Sequence, residues 1–256
     1  MVFKLAFIFH IPHSSFEIPQ KYLADFKLSE KELRDEKIKM NDSFTDELFA
    51  DCASSEDNTI IFPVSRLLVD VERFSEDVQE PMAEIGMGML YRSCHDLSEL
   101  RSSNNFGEEL KKTYYDQHHR EFTALVDEQL QSSEEVLIID CHSFPKKPWP
   151  YERNQTGNRP EICIGTDAFH TTTEIEITLS NAFREQGFDV DTDTPFSGSI
   201  VPMKFYQKDA RVKSIMIEIR RDLYMDETTG ERNSSFTETK QKVQSAIENF
   251  RRALLK

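Results

Sequence analysis

The sequence predicts an α/β fold with a largely parallel central sheet, and three observations carry that prediction. Short apolar runs of strand length alternate with amphipathic stretches of helical length. Two of the apolar runs stop abruptly in polar, chemistry-bearing residues, at His10–Ser15 and at Asp140–Ser143. No repeat, low-complexity tract or convincing linker divides the 256 residues, so residues 1–256 read as one domain. A domain of that size buries roughly 75% of the surface its unfolded chain would expose. That core is large enough to hold a site rigidly.

Taken in order, Phe3–Ile11 reads as the first strand. Ser29–Asp35 and Asp42–Cys52 read as helices, the second with Phe44, Leu48 and Phe49 at helical spacing. Asn58–Pro63 and Leu67–Val71 are apolar and β-rich. Phe106–Gln131 is a long helix with Leu110, Tyr114, Phe122, Leu125, Val126 and Leu130 in one stripe. Val136–Asp140 is the central strand, and Pro145–Pro160 follows as a polar, Pro-rich loop. Glu161–Gly165 is a strand, Thr173–Glu185 a helix stopped by Gly187, and Asp189–Asp191 a short strand. Ser214–Ile219 is the last strand. Thr237–Leu255 is the last helix, with Ser235 and Glu238 spaced as a capping box.

Bulk charge narrows the function. With 46 acidic and 31 basic residues the net charge is −15, which disfavours nucleic acid and anionic membrane surfaces as partners. It leaves room for a small anionic substrate, because a local arginine pair can reverse the field inside a cleft. Cys52, Cys94, Cys141 and Cys163 form no C-x-x-C pair, which fits reduced thiols in a cytoplasmic protein. No apolar run approaches the ~20 residues of a membrane span, and Val2–Ile11 is short for a signal peptide.

The two strand ends carry the chemistry. Residues two apart on a strand share a face, so Asp140 and His142 point the same way. A carboxylate beside an imidazole is a common way to orient a metal ligand. Pro12 ends the first strand sharply before His13, which serves as a ligand or, in the plainer reading, as a turn cap. His10, earlier on the strand, is ambiguous between the site and the core. A catalytic zinc takes three protein ligands and keeps a position for water. With His13 and His142, spacing leaves Asp42, Asp46 and Glu17 open as the third. Asp42 is equally well placed to cap a helix. Arg66 and Arg73 flank Asp70 and form either a surface ion-pair ladder or a fork for a substrate carboxylate. Glu218 stands alone in an apolar strand, where burial without a partner is expensive. It is either paired with Arg220 or Arg221 or acts as a general base with a raised pKa. His118 and His119 lie on the long helix. Ser14 and Ser143 each adjoin a histidine, but adjacency in sequence does not make a catalytic triad.

Six stretches occur together and in order: Ile11–Ser15, Asp42 with Leu48–Phe49, Ser65–Asp70 followed by Arg73, Asp140–Ser143, Pro195–Gly198, and Ile217–Arg220 followed by Leu223–Glu227. As a set they resemble the N-formylglutamate amidohydrolase family over nearly the whole chain. The resemblance implies a phosphorylase/hydrolase-like three-layer α/β sandwich related to zinc carboxypeptidases. It implies metal-dependent hydrolysis of a small anionic N-acyl amino acid, with Zn2+ or another divalent metal as cofactor. By position it assigns the metal to His13, Asp42 and His142, and catalysis to Glu218, with Asp140 and His119 beside it. It sets Arg66, Arg73, Ser14, Ser143 and Gly198 around the substrate. The chain departs from the pattern at Ser15 (usually Gly), at Glu72 (commonly Asn before the Arg), and at Phe196–Ser199 (usually a Tyr and paired glycines). The rival readings are the same metal site cutting a peptide or cell-wall amide, and a non-catalytic binding protein with structural histidines.

Overall fold

The computed structural model describes residues 4–55, 57–101, 105–155, 157 and 159–255. Six strands form one mixed sheet: β1 (Leu5–Ile11), β2 (Asn58–Ile61), β3 (Glu135–Phe144), β4 (Ile162–Gly165), β5 (Val190–Thr192) and β6 (Val212–Arg220). Their spatial order is β2-β1-β3-β6-β4-β5. All neighbours run parallel except β4 and β6. The helices α1 (Glu30–Met40), α2 (Thr45–Phe49), α3 (Gly107–Leu110), α4 (Asp116–Ser132), α5 (Thr173–Glu185) and α6 (Phe236–Leu254) flank it.

The two-residue period of the strands divides the core between the faces. Phe7, Phe9 and Ile11 of β1 join α5 and α6 in one cluster, with Leu179, Phe183, Val243, Ile247 and Phe250. Ala6 and Ile8, with Val136 and Ile138 of β3, meet Phe122 and Val126 of α4 on the other face. His10 and Asp140 continue that second face, since Ile8 pairs with Ile138 and His10 with Asp140. His142 and Glu218 continue it one step further, as register partners of β3 and β6. A third cluster lies under the segment between β2 and α3, where Tyr22, Leu67, Leu68, Met87 and Tyr91 pack together.

The expected strands at both site ends are present, and β3 runs on through His142 to Phe144. Phe3 lies outside the described residues. Four expectations are corrected. Leu67–Val71 is a series of turns, because Leu67, Leu68, Val69 and Val71 are all buried with no alternation. Ser65 organises those turns: its hydroxyl accepts from Leu67 N at 3.2 Å and its carbonyl from Leu68 N at 2.8 Å. The helix expected from Asp42 begins at Thr45, after Phe44 at φ 67°, so Asp42 caps nothing. Ser235 precedes α6 without a side-chain cap. The long helix is interrupted by one π-helical turn, Lys111–Tyr115. The first helix instead extends beyond expectation to Met40, behind a complete capping box of Ser29 and Glu32.

Candidate metal centre and active site

The site forms where β1, β3 and β6 end and the 65–73 turns cross over them. Arg101, fully buried, donates from Nη2 to the carbonyls of Leu67 and Leu68 and so braces those turns from below. Asp70 is the hub of the segment. Its Oδ1 accepts from Glu72 N at 2.9 Å and lies 3.0 Å from His13 Nε2. Its Oδ2 accepts from Tyr91 Oη at 2.6 Å and Arg66 Nη2 at 2.9 Å. Burial alone would raise the Asp70 pKa, but His13, Arg66 and Arg73 hold it well below the usual range.

An ionised carboxylate only accepts, so His13 donates to Asp70 from Nε2 and turns Nδ1 away from it. That Nδ1 is buried and has no hydrogen-bond partner among the described residues. It faces Asp42 Oδ2 at 3.5 Å and Glu72 Oε2 at 3.9 Å. His142 is surrounded by acceptors: Asp42 Oδ2 is 3.0 Å from Nδ1, and Glu72 Oε2 (3.0 Å) and Asp140 Oδ1 (3.1 Å) are near Nε2. Burial would lower the His142 pKa, but Glu72, Asp140 and Asp42 hold it well above the ordinary value. Such a ring is satisfied as an imidazolium or with a cation between it and the carboxylates.

The donor set fits a divalent metal. Two ligands bound at 2.0–2.1 Å to one tetrahedral ion lie about 3.3 Å apart, and the nitrogen–oxygen separations above bracket that value. Among the described residues, two groups bring ligand atoms within 4.8 Å of one another: His13, Glu72 and His142, and His10, Glu72 and Asp140. Asp42 is in neither group. Its Oδ1 accepts from Arg221 Nη2 at 2.8 Å, while Oδ2 faces both histidines. Asp140 is the carboxylate that orients, holding His10 Nδ1 at 2.9 Å and accepting from Ile200 N at 3.1 Å. His10 in turn reaches His118 of α4, Nε2 to Nε2 at 3.0 Å.

Glu218 is buried, its Oε2 has no hydrogen-bond partner among the described residues, and burial pushes its pKa up to about 8 against the pull of His142. Beside Glu72 and Asp140 opens a cleft of about 410 Å³, lined also by Arg73, His119 and the 197–201 loop. Gly165 lets that loop in, since a Cβ there would stand 2.4 Å from Met216 Cε and 2.5 Å from the Gly198 carbonyl. The two arginines part company. Arg73 lines the cleft, whereas Arg66 is tied to Asp70 and does not line it. Gly198 and His119 line it; Ser14 does not, and Ser143 Oγ accepts from Arg221 Nε at 3.1 Å behind Asp42.

A family model described as N-formylglutamate amidohydrolase matches residues 5–225. The chain belongs to the N-formylglutamate amidohydrolase family. Its fold is similar to the N-formylglutamate amidohydrolase from Ralstonia eutropha JMP134, with TM-score 0.82 and 20% identity over 98% of this chain and 96% of the other. It is also similar to a gene product of Agrobacterium tumefaciens, with TM-score 0.67 and 18% identity over 98% and 90%. No curated protein matches the chain significantly. Within this family frame, Glu72, Asp70 and Tyr91 are the site residues that sequence reasoning passed over. The available signal was Glu72 itself, one of the positions where the chain departs from the pattern it resembles.

Proposed function

We propose that this protein is a metal-dependent amidohydrolase of the cytoplasm that cleaves N-acyl amino acids to a carboxylic acid and a free amino acid. The observation that carries the reading is the buried Nδ1 of His13, without a hydrogen-bond partner among the described residues, turned outward by the contact of Nε2 with Asp70 and facing Glu72 and Asp42. We assign His13, His142 and Glu72 as ligands of one zinc or similar ion, with Asp42 holding Arg221 and His142 in register. A metal in that position supplies Lewis acidity towards water and the amide carbonyl. Glu218 takes the proton of the attacking water and returns it to the leaving nitrogen. Asp140 holds His10 beside the centre. Arg73, at the cleft wall, binds the substrate's carboxylate, and Arg66 fixes Asp70 and through it His13.

Metal analysis of the purified protein and its variants tests this. The parent should hold about one divalent ion per chain, and His13→Ala and His142→Ala should lose it. Glu72→Gln should lose it as well, while Asp42→Asn weakens it about 10- to 100-fold, the usual effect of removing an orienting partner. Metal kept in Glu72→Gln and lost in Asp42→Asn would return the third position to Asp42. A parent that stays metal-free after zinc is supplied would leave the histidines structural.

A further inference from the structure

We infer that the cleft beside Glu72 selects an N-acyl amino acid with one carboxylate and an apolar side chain, rather than one with two carboxylates. The inference rests on the hydrolase reading above and narrows its substrate. The cleft adjoins the proposed centre through Glu72, which lines it together with Asp140. Away from that wall it is lined by Phe74, Tyr115, Ile200, Val201, Met203 and Tyr206. Its about 410 Å³ far exceeds a formyl group, which has two heavy atoms and takes up roughly the space of two waters, ~60 Å³. The cleft therefore has room for an amino-acid side chain as well as the formyl group.

The charges at the wall point the same way. A dicarboxylic substrate needs two cationic anchors. Among the described lining residues Arg73 is the one arginine or lysine, and it shares the cleft with the carboxylates of Glu72 and Asp140. His119 adds no charge at neutral pH, since burial lowers its pKa to about 4. The other nearby cations are engaged elsewhere: Arg66 donates to Asp70, and Arg221 to Asp42 and Ser143. A second substrate carboxylate would therefore find no second cation there, only apolar walls, acidic ones and the neutral 197–201 loop, so less of its lost hydration would be replaced.

The experiment compares kcat/KM for N-formyl-L-leucine, N-formyl-L-methionine and N-formyl-L-phenylalanine with that for N-formyl-L-glutamate, using the full chain supplied with zinc. The apolar substrates should lead by tenfold or more, the scale set by one or two methylenes in a fitted pocket. Met203 is 58% exposed at the rim, and Met203→Lys should narrow the lead at least fivefold by adding a second cation. A glutamate substrate equal to or better than the apolar ones, a lead carried by N-octanoylglutamate, or a ratio unmoved in Met203→Lys would each overturn the inference. Calorimetric binding of N-formylleucine and N-formylglutamate to Glu218→Gln separates the two readings. Tenfold tighter leucine binding without turnover of any substrate by the parent would keep the cleft assignment and remove the hydrolase. Absence of both turnover and binding would remove both.

Discussion

Single residues in this protein work through what holds their far side. His13 and His142 present their faces to the proposed centre because Asp70 and Asp42 hold the opposite ring nitrogens, and Asp70 keeps its charge because His13, Arg66 and Arg73 surround it. Glu218 is the exception, a buried carboxyl with one oxygen unpartnered among the described residues and a pKa raised to about 8. Glu218→Gln keeps the shape and removes the base. Its kcat should fall by about 10²–10⁴ while metal content stays at the parent level. Metal content and turnover measured on one preparation check this, and undiminished kcat would exclude Glu218 as the base. At this scale the sequence was partly readable. His13, Asp140, His142 and Glu218 could be singled out because each interrupts or ends an apolar strand. Glu72, Asp70 and Tyr91 could not be grouped with them, because they lie on irregular turns and loops without a period to say which way a side chain points.

Elements were easier to recognise than to delimit. The strands announced themselves by composition, and the two-residue period of β3 put Asp140 and His142 on one face, where they meet at 3.1 Å. The misjudged pieces share a physical cause. Leu67–Val71 is as apolar as a strand, but it is buried on all sides by the third core and turned by Ser65, so composition and backbone separate. At the helix starts, Ser29 and Ser235 look alike in sequence. Ser29 caps α1 in reciprocal bonds with Glu32, whereas Ser235 has φ −92° and ψ −2° and makes no side-chain cap. Ser29→Ala should therefore destabilise the protein by about 1 kcal/mol, and Ser235→Ala should do so by much less. Urea unfolding of both variants distinguishes the two serines, and equal effects would contradict the capping assignment.

Across the whole molecule, α4 sets how stability responds to acid. Burial lowers the pKa of His118 to about 2 and of His119 to about 4. An unfolded chain takes up protons at both below about pH 6.5, whereas the folded one resists. Their contribution is therefore complete above pH 6.5 and is lost as pH falls, through pH 4 for His119 and further down for His118. Glu218 opposes them: with its folded pKa raised, its contribution declines as pH rises from about 4.5 towards 8. His118→Gln removes one of the three. Relative to the parent it should gain up to about 1.4 kcal/mol per pH unit between pH 6 and 4, read from paired unfolding curves; parallel curves would remove His118 from the account. The same sheet also bears on how the chain is made. Strand β6, the last strand in the sequence, lies between β3 and β4 rather than at an edge. At 5–20 residues per second, the roughly 75 residues from the end of β3 to the end of β6 take about 4–15 s to emerge from a ribosome. For that interval the apolar strand Val136–Ile139 lacks its β6 neighbour and is open to pairing with another nascent chain. Yield in cells would then depend on translation speed and on chaperones that shield β3 until residue 220 is free.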